Sequence, residues 1–525
     1  MKSTARLHRR TCMMLGIIGA LLLGFCAVSQ EPQRGGTLRI ATTGDPRSLD
    51  LMVTTAEPAG TIGQHIFETL FAFDESFKPV PYLAESCEYS SDRLSVTFHL
   101  RKGVLFHNGE EMTADDVIAS LQRWGKYGSR GVLLFEYVAE IQRLDDYTFV
   151  IRMSAPFGPM ENLLALITGG PAIYPKSVAE TATGTPISPD QYIGTGPYKF
   201  AEWVPGDHMR LVRFDGYKPY GTESSGLSGA RIAYLDELVF VPVPEAVTRV
   251  AGVRVGDYGH AENIPGDLYA ELTSDPRVYV YTMQPPIFPL VFLNTSAGLM
   301  ANMSLRQAML AALDMEPILQ AGYGSLYGVN GCVGYRQGMF WYTDAGTDKY
   351  NQANPDRAQE LAKAAGYRGE RIRFMSTTHF AAHYNMALVM TSQWQKAGFN
   401  IDLQIYDWAT LSSRRSQPEV WDAFLTHSGP VPDPALISQM SPTYPGWWST
   451  DQKTELTARF NGTTDASARY GLWEELQALW YEEVPSIKLG DGYSMNIASE
   501  HLKGLDDPHH PPLLSPYYWN LWIEG

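Results

Sequence analysis

Between residues 290 and 430 the hydrophobic period switches repeatedly between that of a strand and that of a helix. This alternation restricts the fold more than any other feature of the chain. Residues 290–294 form a short apolar run that reads as a strand. Ser304 then caps an amphipathic helix carrying Leu305, Ala308, Met309, Ala312 and Leu313, with Gly322 as its stop. Residues 356–366 and 385–398 read as two further helices, and 401–405 as a strand after the second. Helices and strands that alternate in this way predict an α/β lobe.

The first half follows a different pattern. Residues 37–41 read as a first strand, ended by the loop Gly44-Asp45-Pro46. Ile62, Ile66 and Leu70 predict a helix, with Glu57-Pro58 just upstream in its cap region. Leu94, Val96, Phe98 and Leu100 then alternate with Ser95, Thr97 and His99, the period of a half-buried strand. Lys102-Gly103 supplies a turn, Val104-Leu105-Phe106 resumes the strand, and Asn108-Gly109 breaks it. Thr113 and Asp116 form a T-x-x-D capping box ahead of Val117, Leu121 and Trp124, which share a helical face. A strand follows at 147–151, then Pro/Gly-rich turns and short helices over 156–189, then a β segment opening at 194–200. Near the end Leu472, Leu476, Leu479 and Trp480 mark a last helix, stopped by Pro485.

A chain of 525 residues has room for two or more substantial domains, and 19% charged residues against 44% apolar ones make it globular. The formal charge is −16, more negative still without the basic residues Lys2, Arg6, Arg9 and Arg10. Nucleic acid, which demands a basic face, is therefore not an expected partner. A negative surface concentrates cationic or zwitterionic solutes, or serves solubility alone. The 29 Tyr, 21 Phe and 12 Trp fill cores first and leave a remainder to line a ligand cavity. Those four basic residues precede an apolar run over 12–28, and Ala27 and Ser29 are small residues before a cut at Gln30. Residues 1–29 thus read as an export signal. A retained membrane anchor, and a lipoprotein signal at Leu23-Gly24-Phe25-Cys26 with an unfavourably bulky Phe25, are the alternatives. Beyond Cys12 and Cys26 only Cys87 and Cys332 remain, enough for one disulfide or two buried thiols.

The string over 83–117 resembles the signature block of family 5 extracytoplasmic solute-binding proteins, the binding components of peptide- and nickel-type ABC importers. R-G-G-T-L-R-I-A with D-P-R-S-L-D is similar to that family's first strand and binding loop, and G-T-G-P-Y-K-F-A-E-W-V-P-G to its mid-domain hairpin. F-L-N-T followed by S-L-R-Q-A-M-L-A-A-L-D resembles its crossover into a second lobe. A-G-Y, K-A-G-F-N-I-D-L and Y-D-W-A-T-L resemble that lobe, and E-E-V-P-S-I-K-L-G and Y-Y-W-N the return crossover. The resemblance implies an α/β, two-lobed periplasmic-binding-protein (Venus-flytrap) fold with an additional β-rich subdomain on lobe one. Lobe one would span 31–285 plus 490–525, its extra subdomain 68–192, and lobe two 286–489. Cys87 and Cys332 would fall in different lobes, where a bond hinders hinge motion, so two buried thiols are expected. The implied function is capture of a peptide-like or other small polar solute by hinge closure, and delivery to ABC permease membrane subunits. The protein would be a periplasmic monomer without cofactor or catalysis. A sensory binding protein for a membrane receptor is the alternative, and a metal-dependent hydrolase a remoter one. No G-x-S-x-G, P-loop, H-E-x-x-H or C-x-x-C string supports an enzyme.

Open sheets place ligands at the loops that follow their strands. In lobe one these are Thr43, Asp45 and Thr54-Thr55-Ala56-Glu57. Glu57 either pairs with a cationic ligand group or is a charge beside a helix start. In lobe two, Tyr406 and Trp408 follow the strand at 401–405, and Thr426, His427 and Ser428 follow Ala423-Phe424-Leu425. Trp447 and Trp448 lie with Tyr444 in a Pro/Gly loop, where they pack on the lobe or stack on ligand. The ligand-binding candidates are accordingly Thr43, Thr55, Glu57, Tyr406, Trp408, Thr426, His427, Ser428, Trp447 and Trp448. His379 and His383, four apart, can share a helix face, but no third ligand accompanies them and no metal site is expected. His509-His510 reads as exposed. One departure bears on the ligand. Dipeptide- and oligopeptide-binding relatives carry an Asp ahead of the D-P pair to hold the ligand's α-ammonium. This chain reads S-G-P-V-P-D-P, with Pro430 at about that position and Asp433 in the D-P turn. Ordinary α-amino capture then requires Glu57 or Asp433. Modified peptides, opine-like amines, oligosaccharides and metal chelates stay open.

Overall fold

Two β-sheets, of seven and five strands, carry the two halves of the fold, and the chain crosses from one to the other and back. The computed structural model describes residues 31–509, 511 and 513–525. The export signal at 1–29, Cys12, Cys26 and His510 lie outside the described residues. The first sheet runs, in spatial order, Val278–Thr282, Met495–Ser499, His260–Ile264, Thr37–Thr42, Glu237–Pro242, His208–Arg213 and Tyr198–Val204. Thr37–Thr42 is central and parallel to both its neighbours. The second runs Asn400–Tyr406, Arg371–Thr377, Ala423–Ser428, Phe288–Leu293 and Ser486–Lys488. One crossover lies between Thr282 and Phe288, the other between Lys488 and Met495. The two are bonded to each other: Ile287 and Gly492 exchange backbone hydrogen bonds of 3.0 and 2.8 Å. A Cβ at Gly492 would sit 2.4 Å from the Tyr323 ring, so any larger residue there requires that ring to move.

Burial on both faces explains why Phe288–Leu293 is apolar throughout. Leu290 and Phe292 join Phe424 and Trp421 on one side, and Val291 and Leu293 join Met309 and Trp394 on the other. This two-sided burial is that of a central strand in an α/β layer. The helices on it differ from the sequence expectation in detail. Asn302, not Ser304, is the N-cap, its side chain accepting from the Leu305 N–H. The expected single helix is two, Met303–Ala311 and Met315–Tyr323. Gln393 takes the Asp314 N–H and Asn351 the Met315 N–H, each at 2.8 Å, so the ladder stops there. Gly324, at φ 62°, ends the second helix rather than Gly322.

Residues 84–153 form a third, antiparallel sheet, ordered Ala84–Tyr89, Ser95–Leu100, Thr148–Met153 and Val138–Asp145. The capping box opens the helix Ala114–Tyr127: the Asp116 carboxylate accepts from the Thr113 N–H at 2.8 Å. Val104–Phe106 does not resume a strand; Leu105 makes only an isolated bridge to Glu111. The helix expected through Leu70 is short, Glu57–Gly63, and includes Glu57 and Pro58. It stops because the carbonyls of His65 and Ile66 accept from Tyr198 and Gly196 instead. Among the described residues both cysteines are free, Cys332 buried and Cys87 only half-buried, and loss of solvent pushes each thiol up to about 11.

An ion pair within this half ties the segment after the first strand to the capped helix. Asp50, fully buried, accepts from Arg123 Nη1 at 3.0 Å, the Tyr174 hydroxyl at 3.2 Å and the Ile187 N–H at 3.1 Å. Removing one partner strands the other charge in the core. Arg123→Met should therefore lower unfolding free energy by about 3 kcal/mol, measured by urea denaturation.

Candidate functional site

A cavity of about 260 Å³ is lined by residues from both lobes and both crossovers. Thr55, Glu57 and Gln64 come from the short helix and the residues on either side of it. Arg130 and Thr168 reach it from the side of the four-stranded sheet, Met283, Ile287 and Ser494 from the crossovers. His427 and Pro430 come from the end of Ala423–Ser428 and the turn beyond it. A hollow of about 400 Å³ beside Arg101, Lys102 and Lys218 has no residue from the second sheet among its lining.

Glu57 faces this space with open access to water. The protein around it still removes enough solvent to raise its carboxyl above the usual range. Behind it, on His260–Ile264, Glu262 is buried, and desolvation together with the Glu57 charge pushes its carboxyl up to about 8. The Tyr518 hydroxyl lies 3.3 Å from Glu262 Oε1 and 3.1 Å from His260 Nδ1. Burial pushes His260 down to about 3, so this ring is neutral at neutral pH.

On the opposite wall, His427 Nδ1 lies 2.9 Å from His383 Nε2, and one ring donates to the other. Phe380 stands against both, at 4.9 and 5.2 Å. Burial lowers both imidazoles, His383 to about 3, so the pair is neutral. His379 precedes the helix Ala381–Lys396 and shares no helical face with His383. Among the described residues no three His, Cys, Asp or Glu side chains are placed to hold a metal ion.

Asp433 is closed to ligand. Its Oδ1 accepts from Arg469 Nη2 and the Ala435 N–H, both at 2.9 Å. Its Oδ2 accepts from Arg469 Nη1 at 2.8 Å and from Asn162 Nδ2 at 2.9 Å. Asn162 lies on Met160–Leu164, in the half carrying the first sheet, so its bond joins the two lobes directly. The Gly158 N–H donates to the Asn461 carbonyl at 2.8 Å beside it.

Of the residues singled out from sequence, Thr55, Glu57 and His427 meet at the cavity. Thr43 is exposed in the bend beyond the first strand. Thr426 is buried opposite Leu290, and Ser428 pairs with Phe288. Tyr406 donates to Gln404 at 3.1 Å and carries the Arg414 guanidinium on its ring. Trp408 stands edge-on to Phe380 at 5.3 Å, one ring behind His427. Trp447 and Trp448 pack: Trp447 stacks on Trp421 at 5.6 Å, and the Trp448 indole donates to Glu483. They line a separate hollow with Arg306. Arg130 was not foreseen. It belongs to the helix Ser129–Phe135, within the extra subdomain expected over 68–192, and no local signal marks it. His509 is exposed, as expected, and pairs with Glu75 at 2.8 Å.

Glu262 gives this site a pH signature. The folded form holds a proton that the unfolded chain releases near 4.5, so its contribution to stability is full below 4.5 and lost as pH rises through about 8. Glu262→Gln should remove that loss: urea midpoints of the variant gain on the parent steadily across this interval.

Residues 78–449 match the sequence profile of the bacterial extracellular solute-binding proteins, family 5 Middle. The probable peptide ABC transporter periplasmic-binding protein y4tO of Sinorhizobium fredii is 28% identical over 497 residues, covering 90% of this chain and 91% of that protein. The substrate-binding protein CtaP of Listeria monocytogenes has the same fold at a TM-score of 0.80 and 21% identity, covering 94% of this chain and 100% of that one. AgaA of A. tumefaciens R10, solved with agropinic acid, gives 0.75 at 23% identity, over 93% and 99% of the two chains. The two-lobed architecture and the profile match agree, and the chain belongs to the bacterial extracellular solute-binding proteins of family 5.

Proposed function

We propose that this protein captures a compact, peptide-like or other small polar solute in the cavity at Glu57, Arg130 and His427, and delivers it as a periplasmic monomer to the membrane subunits of an ABC importer. The moving bodies are residues 31–285 with 490–525, and 286–489. The observation that carries this reading is the cavity itself, whose walls come from both lobes and both crossovers. A solute that touches both walls stabilises the closed form by contacts it cannot make in the open one. At about 260 Å³ the space lies near the lower end of ligand pockets and suits a short solute rather than a long peptide. The y4tO name points to peptides and the AgaA complex to agropinic acid, both polar. Among the described residues no helix is long and apolar enough to cross a membrane. Export would then rest on residues 1–29.

The test is a solute screen by intrinsic Trp fluorescence and melting temperature. A saturable shift with the solute recovered unchanged is expected. A broad library that shifts neither signal would overturn the reading. The Asn162 bond adds a second expectation, since it favours closure whether or not ligand is present. Losing one hydrogen bond of about 1 kcal/mol from the closed form should weaken binding roughly fivefold. Titration of Asn162→Ala measures this, and small-angle scattering should show its ligand-free form more extended than the parent.

A further inference from the structure

The cavity holds one acid and one strong base, and neither is matched by the protein. Among the described residues Glu57 has no hydrogen-bond or ion-pair partner, and Arg130 makes a single hydrogen bond, to the Thr168 carbonyl at 2.6 Å. Arg130 is half-buried, and fully buried cations are treated differently, apart from Lys453, which donates to the Met440 carbonyl alone. Arg123, Arg231, Arg469 and Lys488 each face a carboxylate. Arg249 and Arg306 have none, but each donates to four backbone carbonyls. Arg130 has neither arrangement, although desolvation already depresses its guanidinium. A guanidinium with open donors in a cleft is a ready bidentate site for a carboxylate. A carboxylate without a donor is equally ready for an ammonium.

The second-sheet side of the cavity offers no charge. His427, Gly429, Pro430 and Pro432 line it, and the imidazole is neutral. Asp433, the acid nearest in sequence, has its acceptor positions filled. Both poles of a charged solute must then be met from the first-sheet side.

We infer that the ligand is a compact zwitterion, held through its cationic group by Glu57 and through its carboxylate by Arg130, with the opposite lobe closing over it as an uncharged roof. This rests on the cavity being the solute site proposed above. It makes Glu57 and Arg130 the specificity-determining residues, and it makes loading onto one lobe separable from closure by the other.

The experiment is native mass spectrometry of the full chain without residues 1–29. Its probes are di- and tripeptides and free amino acids, each beside its N-acetyl and C-terminal amide derivatives, with neutral disaccharides alongside. Adducts are expected only where both charges are present. Binding that survives acetylation or amidation undiminished overturns the inference while leaving the receptor reading intact. Absence of every adduct overturns both. For a zwitterion that binds, Glu57→Gln should cost roughly tenfold or more in affinity and erase the preference over the acetylated form. Arg130→Gln should erase the preference over the amide. Asn162→Ala should weaken all probes alike and leave both preferences unchanged. The ligand-free Glu57→Gln and Arg130→Gln proteins should melt no lower than the parent, because each loses an unmatched charge. A lower melting temperature with both preferences intact would assign these residues a structural role and sink the proposal.

Discussion

The carboxylate of Asp433 governs the geometry between the lobes. It is fully buried, and burying a charge is tolerable only with good counter-charge and filled hydrogen-bonding positions. Arg469 supplies the charge from its own lobe, the Ala435 amide shapes the turn, and Asn162 arrives from the opposite lobe. This arrangement holds Pro430 and Pro432 at the cavity and removes the nearby acid from it. The cavity is then left with Glu57 as the acid that a solute can reach. One satisfied carboxylate thus decides where another must remain unsatisfied.

The polar interior around the cavity is kept neutral by desolvation. His260, His383 and His427 lie in surroundings that disfavour their cations, and Glu262 in surroundings that disfavour its anion. Charge at the cavity is confined to the two side chains that open to the cleft, Glu57 and Arg130. An electrostatic contact made there is strengthened by the low polarizability of its surroundings.

Much of the fold was legible because its signals are local. The alternation over 94–100, the Thr113–Asp116 box and the helix–strand exchange after residue 290 each reflect geometry set within a few residues. The misjudged details reflect distant partners. Ser304 and Asn302 are both good caps by composition, and the backbone path alone chose Asn302. The helix break at 312–314 depends on Gln393 and Asn351, and the short first helix on the loop at 196–198. The candidate cavity was legible only in part, at Thr55, Glu57 and His427, because loops after strands can be guessed from sequence. Arg130, Met283 and Ser494 join it through the packing of whole sheets, which no spacing encodes. Trp447 and Trp448 had two plausible environments, and Trp421 and Glu483 determine which one they occupy.

The paired crossovers do more than connect. Ile287 and Gly492 bond one to the other, Ile287 also lines the cavity, and Met283 and Ser494 flank them in the same wall. A solute seated there, as proposed, would bear on the joint as well as on the jaws. Its thickness would then act as a shim, setting the angle at which the two halves come to rest. A membrane partner that reads only the outer surface would thereby register the size of a cargo it does not touch.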